Sequence, residues 1–233
     1  YTRLDTLLGS AGMIRRSVAE ATWHARHRMA FGRRLADHPA MKAVLADLSL
    51  ESEAAMTATM RVARSYDSED ELPFRRLGTA VMKYYVAKRT AATTSEALEC
   101  LGGNGFTEDF IQAQMYRDSQ IGTVWEGSGN VAALDVLRAI HKDPECLDAF
   151  VAECELARGG HPALDAHLDG LRSLELADPW QARRTVETFA LALEASLLVR
   201  HAPEAVADAF CSSRLGDRGL AFGTLPHAEA DSI

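Results

Sequence analysis

Residues 1–32, YTRLDTLLGSAGMIRRSVAEATWHARHRMAFG, decide the fold class. Leu4, Leu7, Leu8, Ala11, Ile14, Val18, Ala21 and Ala25 recur at spacings of three and four, which draws one apolar stripe along a long helix. Phe31-Gly32 is expected to end it, because glycine readily takes the left-handed conformation of a helix stop. A helix with one apolar stripe needs partners, and the chain supplies them in order. A second helix is expected from near Asp37 as N-cap, with Pro39 in its first turn, to about Tyr66. Met41, Val44, Leu45 and Leu48 would line its inner face. The polar run Asp67–Glu71 connects it to a third helix, from about Pro73 to Leu101. That helix carries Leu77, Val81, Tyr84, Tyr85 and Leu98 as candidate core residues.

Gly102-Gly103-Asn104-Gly105 stops the third helix. A short helical piece follows, then a loop around Tyr116–Trp125. A fourth helix is expected from near Ser128, with Val131, Leu134, Leu137 and Ile140 inward. No sustained period-two pattern and no internal repeat is visible. The reading is all-α, an antiparallel four-helix bundle over residues 1–141. After Pro144 the character changes. Breaks at Arg158–Pro162 and Ala177–Pro179 separate helical stretches near 145–157, 163–174, 179–200 and 203–213. Residues 142–233 therefore read as an extra C-terminal helical subdomain packed on the bundle, fraying from about Gly223.

Charge is unevenly placed. Residues 1–141 carry 17 Lys/Arg and 17 Asp/Glu, whereas 142–233 carry 8 and 16, so the excess behind the net −8 lies wholly in the second part. An acidic surface opposes a phosphate backbone, which makes nucleic acid an unlikely partner. The four cysteines (Cys100, Cys146, Cys154, Cys211) form no CxxC pair, and a reduced, cytoplasmic protein is the expectation. The histidines show no HExxH pattern; His24 and His27, one turn apart, read as a helix face, and no metal is expected. The apolar run Phe189–Val199 is interrupted by Glu194, so no span of a bilayer is expected. The chain opens on Tyr1, directly in amphipathic helix, and looks cut from something longer.

Three motifs bear on chemistry. Arg28-Met-Ala-Phe31-Gly32 is on the one hand a helix end with cations suited to the dipole and Phe31 in the core. On the other, Arg28 offers a guanidinium fork that matches pyrophosphate oxygens. Leu101-Gly102-Gly103-Asn104-Gly105-Phe106 is a helix stop, or else a stretch where missing Cβ atoms let backbone N–H groups approach a phosphate or a flat ring. It follows a helix rather than a strand and lacks dinucleotide-fold spacing. In Trp125-Glu126-Gly127-Ser128-Gly129-Asn130, Ser128 serves as an N-cap, and Glu126 is either a surface acid or a base. A carboxylate beside an indole can be desolvated, its pKa raised, and so fitted to take a proton from a weak carbon acid.

Their order and spacing carry a resemblance. RMAFGRRL, then LGGNGF, then YRD followed by WEGSGN, over residues 1 to about 141, resemble the C-terminal domain of acyl-CoA dehydrogenases. WEGSGN, the added helical segment and AFCSSRLGDRG near the end are similar to the AidB-like, alkylation-response branch. The resemblance implies FAD held between subunits of a dimer or tetramer. Arg28, Phe31, Gly102 and Gly103 would contact the neighbour's FAD, and Ser128 and Asn130 would hold the subunit's own. Glu126 matches the base that removes the α-proton of an acyl-CoA thioester, while the β-hydrogen leaves as hydride to the flavin and onward to an electron-transfer acceptor. Trp125 and Gly127 flank the acyl pocket by the same analogy, and Arg3 matches a pocket arginine. Some members keep the base on the first helix; the matching place here is Thr2, which cannot serve. Pro39 and Glu99 stand where many members have glutamines. The family's N-terminal helical and middle β-domains are absent from this chain, so it is not expected to turn over acyl-CoA alone. The branch also implies an alternative, a DNA-associated flavoprotein with little dehydrogenase turnover.

Overall fold

The computed structural model describes residues 1–171 and 173–216. Among the described residues the chain forms ten α-helices and one hairpin of two-residue strands. Helices α1 (Thr2–His27), α2 (Pro39–Arg64), α3 (Leu72–Glu99) and α6 (Gly129–Lys142) form the bundle. Between α1 and α2 lies the hairpin of β1 (Met29–Ala30) and β2 (Arg33–Arg34). Two short helices, α4 (Gly103–Phe106) and α5 (Ile111–Ser119), separate α3 from α6.

Long-range contacts set the directions. Tyr1 at the start of α1 packs on Tyr66 beyond the end of α2, with ring centroids 5.6 Å apart, so these helices run antiparallel. Glu51 of α2 binds Arg89 of α3, and Tyr66 pairs with Thr79, so α2 and α3 are antiparallel as well. Consequently α1 and α3 share a direction, and Thr90 of α3 donates to the Ser10 carbonyl of α1. The return path closes the bundle. Gln112 of α5 donates to the Ser17 carbonyl, and the segment then travels back beside α1 to place Glu126 against Thr2 and Arg3.

The predicted stripe of α1 is buried at Leu7, Ala11, Ile14, Val18, Ala21 and Ala25, while Leu8 faces solvent. Leu8 adjoins Leu7, and a single stripe cannot turn both inward. Beyond α6 come α7 (Glu145–Glu155), α8 (Pro162–Leu171), α9 (Ala182–His201) and α10 (Glu204–Phe210), which runs into a π-helical turn, Cys211–Leu215. Their apolar faces continue the bundle core without a break. Phe150 of α7 joins Phe74 of α3 to Phe189 of α9, at centroid distances of 6.0 and 5.6 Å. Arg214 of the π turn reaches Asp47 and Glu51 of α2, tying the end of the described chain to the bundle. Burial pushes the Glu51 carboxyl up, but Arg89 and Arg214 outweigh it and hold it below the usual range. The neighbouring buried Glu194 is raised well above that range, chiefly by burial and then by the Glu51 charge.

Several local expectations need correction. Helix α1 ends at His27, and Phe31-Gly32 is the turn of the hairpin, not a helix stop. Both residues have positive φ, 52° and 83°, as a primed two-residue hairpin turn requires. Phe31 is therefore 91% exposed rather than in the core. The residue capping α2 is His38, because Leu35–Asp37 form a 3-10 turn of their own. Tyr116 lies on α5 and not in a loop. On α6, Val131 and Leu134 face outward, while Ala132, Ala133, Val136, Leu137, Ala139 and Ile140 are buried. The expected positions recur at strict threes, which drifts about 60° around a helix per step, so they cannot all face inward.

No helix among the described residues is long and apolar enough to cross a membrane. All four cysteines are free and buried, and burial pushes the Cys100 and Cys211 thiols up to about 12. No cluster of His, Cys, Asp or Glu fit to hold a metal ion occurs among the described residues. Asp217–Gly219, the end of the AFCSSRLGDRG motif, and the segment from Gly223 lie outside them.

Candidate functional site

The bundle divides the motif residues between its two ends. At one end, the turn Gln120–Gly127 folds back over the N-terminus of α1. A 3-10 turn, Ile121–Thr123, leads into Trp125, half-exposed, and Glu126. Glu126 has φ +55° and Gly127 φ +108°. The left-handed region costs a non-glycine residue about 1–2 kcal/mol, so something must hold Glu126 there.

Three groups do. The Thr2 hydroxyl donates to Glu126 Oε2 at 2.7 Å. Arg3 Nε donates to the Glu126 carbonyl at 3.3 Å. Lys83 of α3, 1% exposed, donates through Nζ to the carbonyls of both Trp125 and Gly127, each at 2.8 Å. Burial lowers the Lys83 pKa; the Arg3 charge lowers it further, and the Glu126 carboxylate opposes both.

Arg3 is itself fixed. It bonds Asp135 of α6, which also accepts from Arg76 at 3.2 and 3.3 Å and from Arg138 at 3.3 Å. Burial pushes the Asp135 carboxyl up, but the Arg3 hydrogen bond and the Arg76 and Arg3 charges outweigh it and hold it low. The predicted pocket arginine is thus a strut between α6 and the Glu126 loop. Glu126 opens onto a cavity of about 340 Å3 lined by Thr2, Arg3, Arg76, Thr79 and the rings of Tyr1 and Tyr66. In the single chain the Glu126 carboxylate is exposed at this edge rather than enclosed.

Ser128 and Asn130 follow at the start of α6. Both are exposed, and the Ser128 side chain makes no capping bond although its backbone caps α6. Asn130 Oδ1 accepts from Arg183 Nε of α9 at 2.8 Å, so the C-terminal helices reach this face of the site.

At the other end of the bundle sit Arg28, Phe31, Gly102 and Gly103, all exposed. Gly102 has φ +59°, and a Cβ on Gly102 or Gly103 would meet nothing within 4 Å. Gly105 is required for a different reason: a Cβ there would lie inside contact distance of the Leu98 carbonyl oxygen, whereas at Gly102 the backbone conformation itself favours glycine. Arg26, His27, Arg34 and Asp37 line a broad hollow beside Arg28, and Trp23 stacks on His27 with centroids 4.5 Å apart. Helix α1 separates the two ends by about 40 Å at 1.5 Å per residue. One ligand cannot touch Arg28 and Glu126 of the same chain.

The sequence reading missed Lys83, Asp135, Gly105 and the role of Arg183. Lys83 had a signal: it falls three residues after Ala80 and four before Ala87, on the buried stripe of α3. A lysine in an apolar stripe asks for a buried acceptor.

Comparison with known proteins fits this architecture. Residues 1–141 match the family described as acyl-CoA dehydrogenase, C-terminal domain. The chain belongs to the acyl-CoA dehydrogenase family and includes its helical C-terminal domain. It is 33% identical to the AidB protein of Escherichia coli over 224 residues, covering 94% of this chain and 41% of that protein. The fold is similar to that of ACDH-11 of Caenorhabditis elegans, solved in complex with C11-CoA. There the TM-score is 0.85 at 27% identity, covering 94% of this chain and 43% of the other. An acyl-CoA dehydrogenase from Bacillus anthracis, solved with FAD, shares the fold at TM-score 0.71 and 18% identity, with 91% and 46% covered. The chain thus spans less than half the length of these relatives.

Proposed function

We propose that this chain is the C-terminal part of a flavin-dependent acyl-CoA dehydrogenase-like oxidoreductase. In this reading Glu126 removes the α-proton of an acyl-CoA thioester. One observation carries it. The family resemblance puts the base either at the Glu126 position or at the place of Thr2, and these two side chains meet at 2.7 Å. Two positions 124 residues apart in sequence therefore address one point in space. A carboxylate there is oriented by the Thr2 hydroxyl, and its backbone is held on both sides by Lys83.

The residues at both ends suit FAD. The open Gly102-Gly103 turn admits a flat ring or phosphate, and Arg28 supplies a cation for pyrophosphate. Ser128 and Asn130 offer hydrogen-bonding side chains beside Glu126. Because the two sets lie about 40 Å apart, they would serve two cofactors, the subunit's own and a neighbour's, which requires a homo-oligomer, a dimer or tetramer. When bound, FAD supplies the acceptor for the β-hydride. Glu126 is exposed in the single chain, so the water-excluded setting that raises a carboxylate's basicity would come from the neighbour and the flavin. Trp125 and Gly127 would border the acyl chain, with Arg3 setting the loop rather than binding substrate alone. The electrons then need an external acceptor, consistent with an electron-transfer partner in the cytoplasm. Binding of an acyl-CoA by ACDH-11 supports the substrate class. The alternative of a DNA-associated flavoprotein gains nothing from charge, since residues 142–233 carry 16 acidic and 8 basic residues.

The test is anaerobic mixing of acyl-CoA with the flavin-loaded full-length protein of which this chain is the C-terminal part. Bleaching of the visible flavin band is expected in the wild type and not in Glu126→Gln, which should keep its flavin. Equal bleaching in both would overturn the assignment.

A further inference from the structure

The geometry points to Lys83 as the positioning residue that holds the Glu126 loop in its left-handed, base-presenting conformation; the inference rests on the reading of Glu126 as base. The argument begins with the backbone. Glu126 is, with Phe31, one of two non-glycine residues with positive φ among the described residues. For Phe31 the reason is local, a two-residue hairpin turn with paired strands on both sides. No strand pairing holds Glu126.

What holds the two carbonyls that flank it is a single ammonium. The carbonyls on either side of Glu126, those of Trp125 and Gly127, both accept from Lys83 Nζ at 2.8 Å. Two carbonyls separated by one residue converge on one point only when the chain curls around that residue, which is the left-handed turn observed. Lysine suits the task. Its long stem carries the ammonium from the middle of α3, a 28-residue helix, to the loop, and two of its three donors are taken by the two carbonyls. Its partners are neutral backbone groups rather than a carboxylate. Arg3 and Thr2 act from α1 on the other side. The turn is thus gripped between the two parallel helices whose register brings residues 2–3 and 83 level. Gly127 completes it, since its φ of +108° is strained for any L residue and a Cβ would press on Val131 Cγ1 at 3.3 Å.

Lys83→Met keeps the stem and removes the donors. Two readouts decide the matter. The first is hydrogen–deuterium exchange in the protein as purified. Backbone amides of residues 125–128 should exchange at least tenfold faster in the variant, with α1 and α3 amides unchanged. The second is α-proton exchange of acyl-CoA by the flavin-loaded full-length protein, followed as kcat and KM. We expect kcat to fall at least tenfold with KM within threefold, and Lys83→Arg to restore part of it. Amide exchange and kcat both within threefold of wild type would overturn the inference. Glu126→Gln, run alongside, separates the two readings: if it retains full activity, the base assignment fails while the amide-exchange arm still judges Lys83. If Lys83→Met does not fold, Lys83→Gln, with donors for one carbonyl, is measured instead. Loss of the whole bundle in both variants would overturn a role confined to the loop.

Discussion

Asp135 offers the sharpest stability prediction. Its carboxylate is buried on α6 and accepts from Arg3, Arg76 and Arg138. The three guanidinium side chains are unequal: 31%, 37% and 69% exposed. Breaking a fully buried pair costs about 3–5 kcal/mol, whereas an exposed pair is worth about 0.2–1 kcal/mol. Arg138, an exposed i,i+3 partner, falls in the second class. Arg3 and Arg76 fall between, because solvent reaches a third of each. Asp135→Asn should therefore destabilise the fold by about 2 kcal/mol, well short of the buried limit. For a chain of this size that corresponds to a fall in Tm of about 4–8 °C. The pH dependence follows from the depressed pKa. A carboxyl held low in the folded state contributes stability that is full above its unfolded value, about 3.9, and is lost as pH falls through the folded value. Thermal melts followed by circular dichroism at pH 7 and near pH 3 test this. The gap between wild type and variant should be largest at pH 7 and shrink in acid. An equal gap at both values, or none at pH 7, would refute the ion-pair account.

Two further predictions concern packing. Gly105→Ala should destabilise by about 1–3 kcal/mol, the range of overpacked sites, because its Cβ would collide with the Leu98 carbonyl. Gly103→Ala, which meets nothing, should be near neutral in the same melts. Phe150→Ala, at the junction of α3, α7 and α9, should cost about 3–5 kcal/mol in urea unfolding. The loss should appear in one cooperative transition, because the C-terminal helices share the bundle core.

Helices were legible in the sequence wherever one face stays buried along its length. The stripes of α1 and α3 predicted their burial well, because long helices average over neighbours. Short-range geometry was less legible. Phe31-Gly32 carried a helix-stop signal, yet Arg28 leaves the helix in an extended conformation and the strands pair around the turn. Glycine's freedom announces a reversal without saying which kind. On α6, Val131, Leu134, Leu137 and Ile140 recur at strict threes, which drifts about 60° around the helix per step, so the last two are buried and the first two are not. For the site, the acid and its flanking motif could be read directly. Its supports could not: Thr2, Arg3, Lys83 and Asp135 come from three helices, and their convergence depends on the register of α1 against α3 and α6. A buried lysine and a buried aspartate within apolar stripes were the available hints, each ordinarily taken as a solvent-facing break.

The claim that Glu126 is the base is tested most directly by α-proton exchange of an acyl-CoA in deuterium oxide, followed by mass spectrometry, with the flavin-loaded full-length protein that carries this chain. The account predicts steady deuterium uptake by the wild type. In Glu126→Gln it predicts a loss of at least about 10²-fold, the usual contribution of a positioned base, with the flavin spectrum unchanged. Uptake by the variant at the wild-type rate would contradict it.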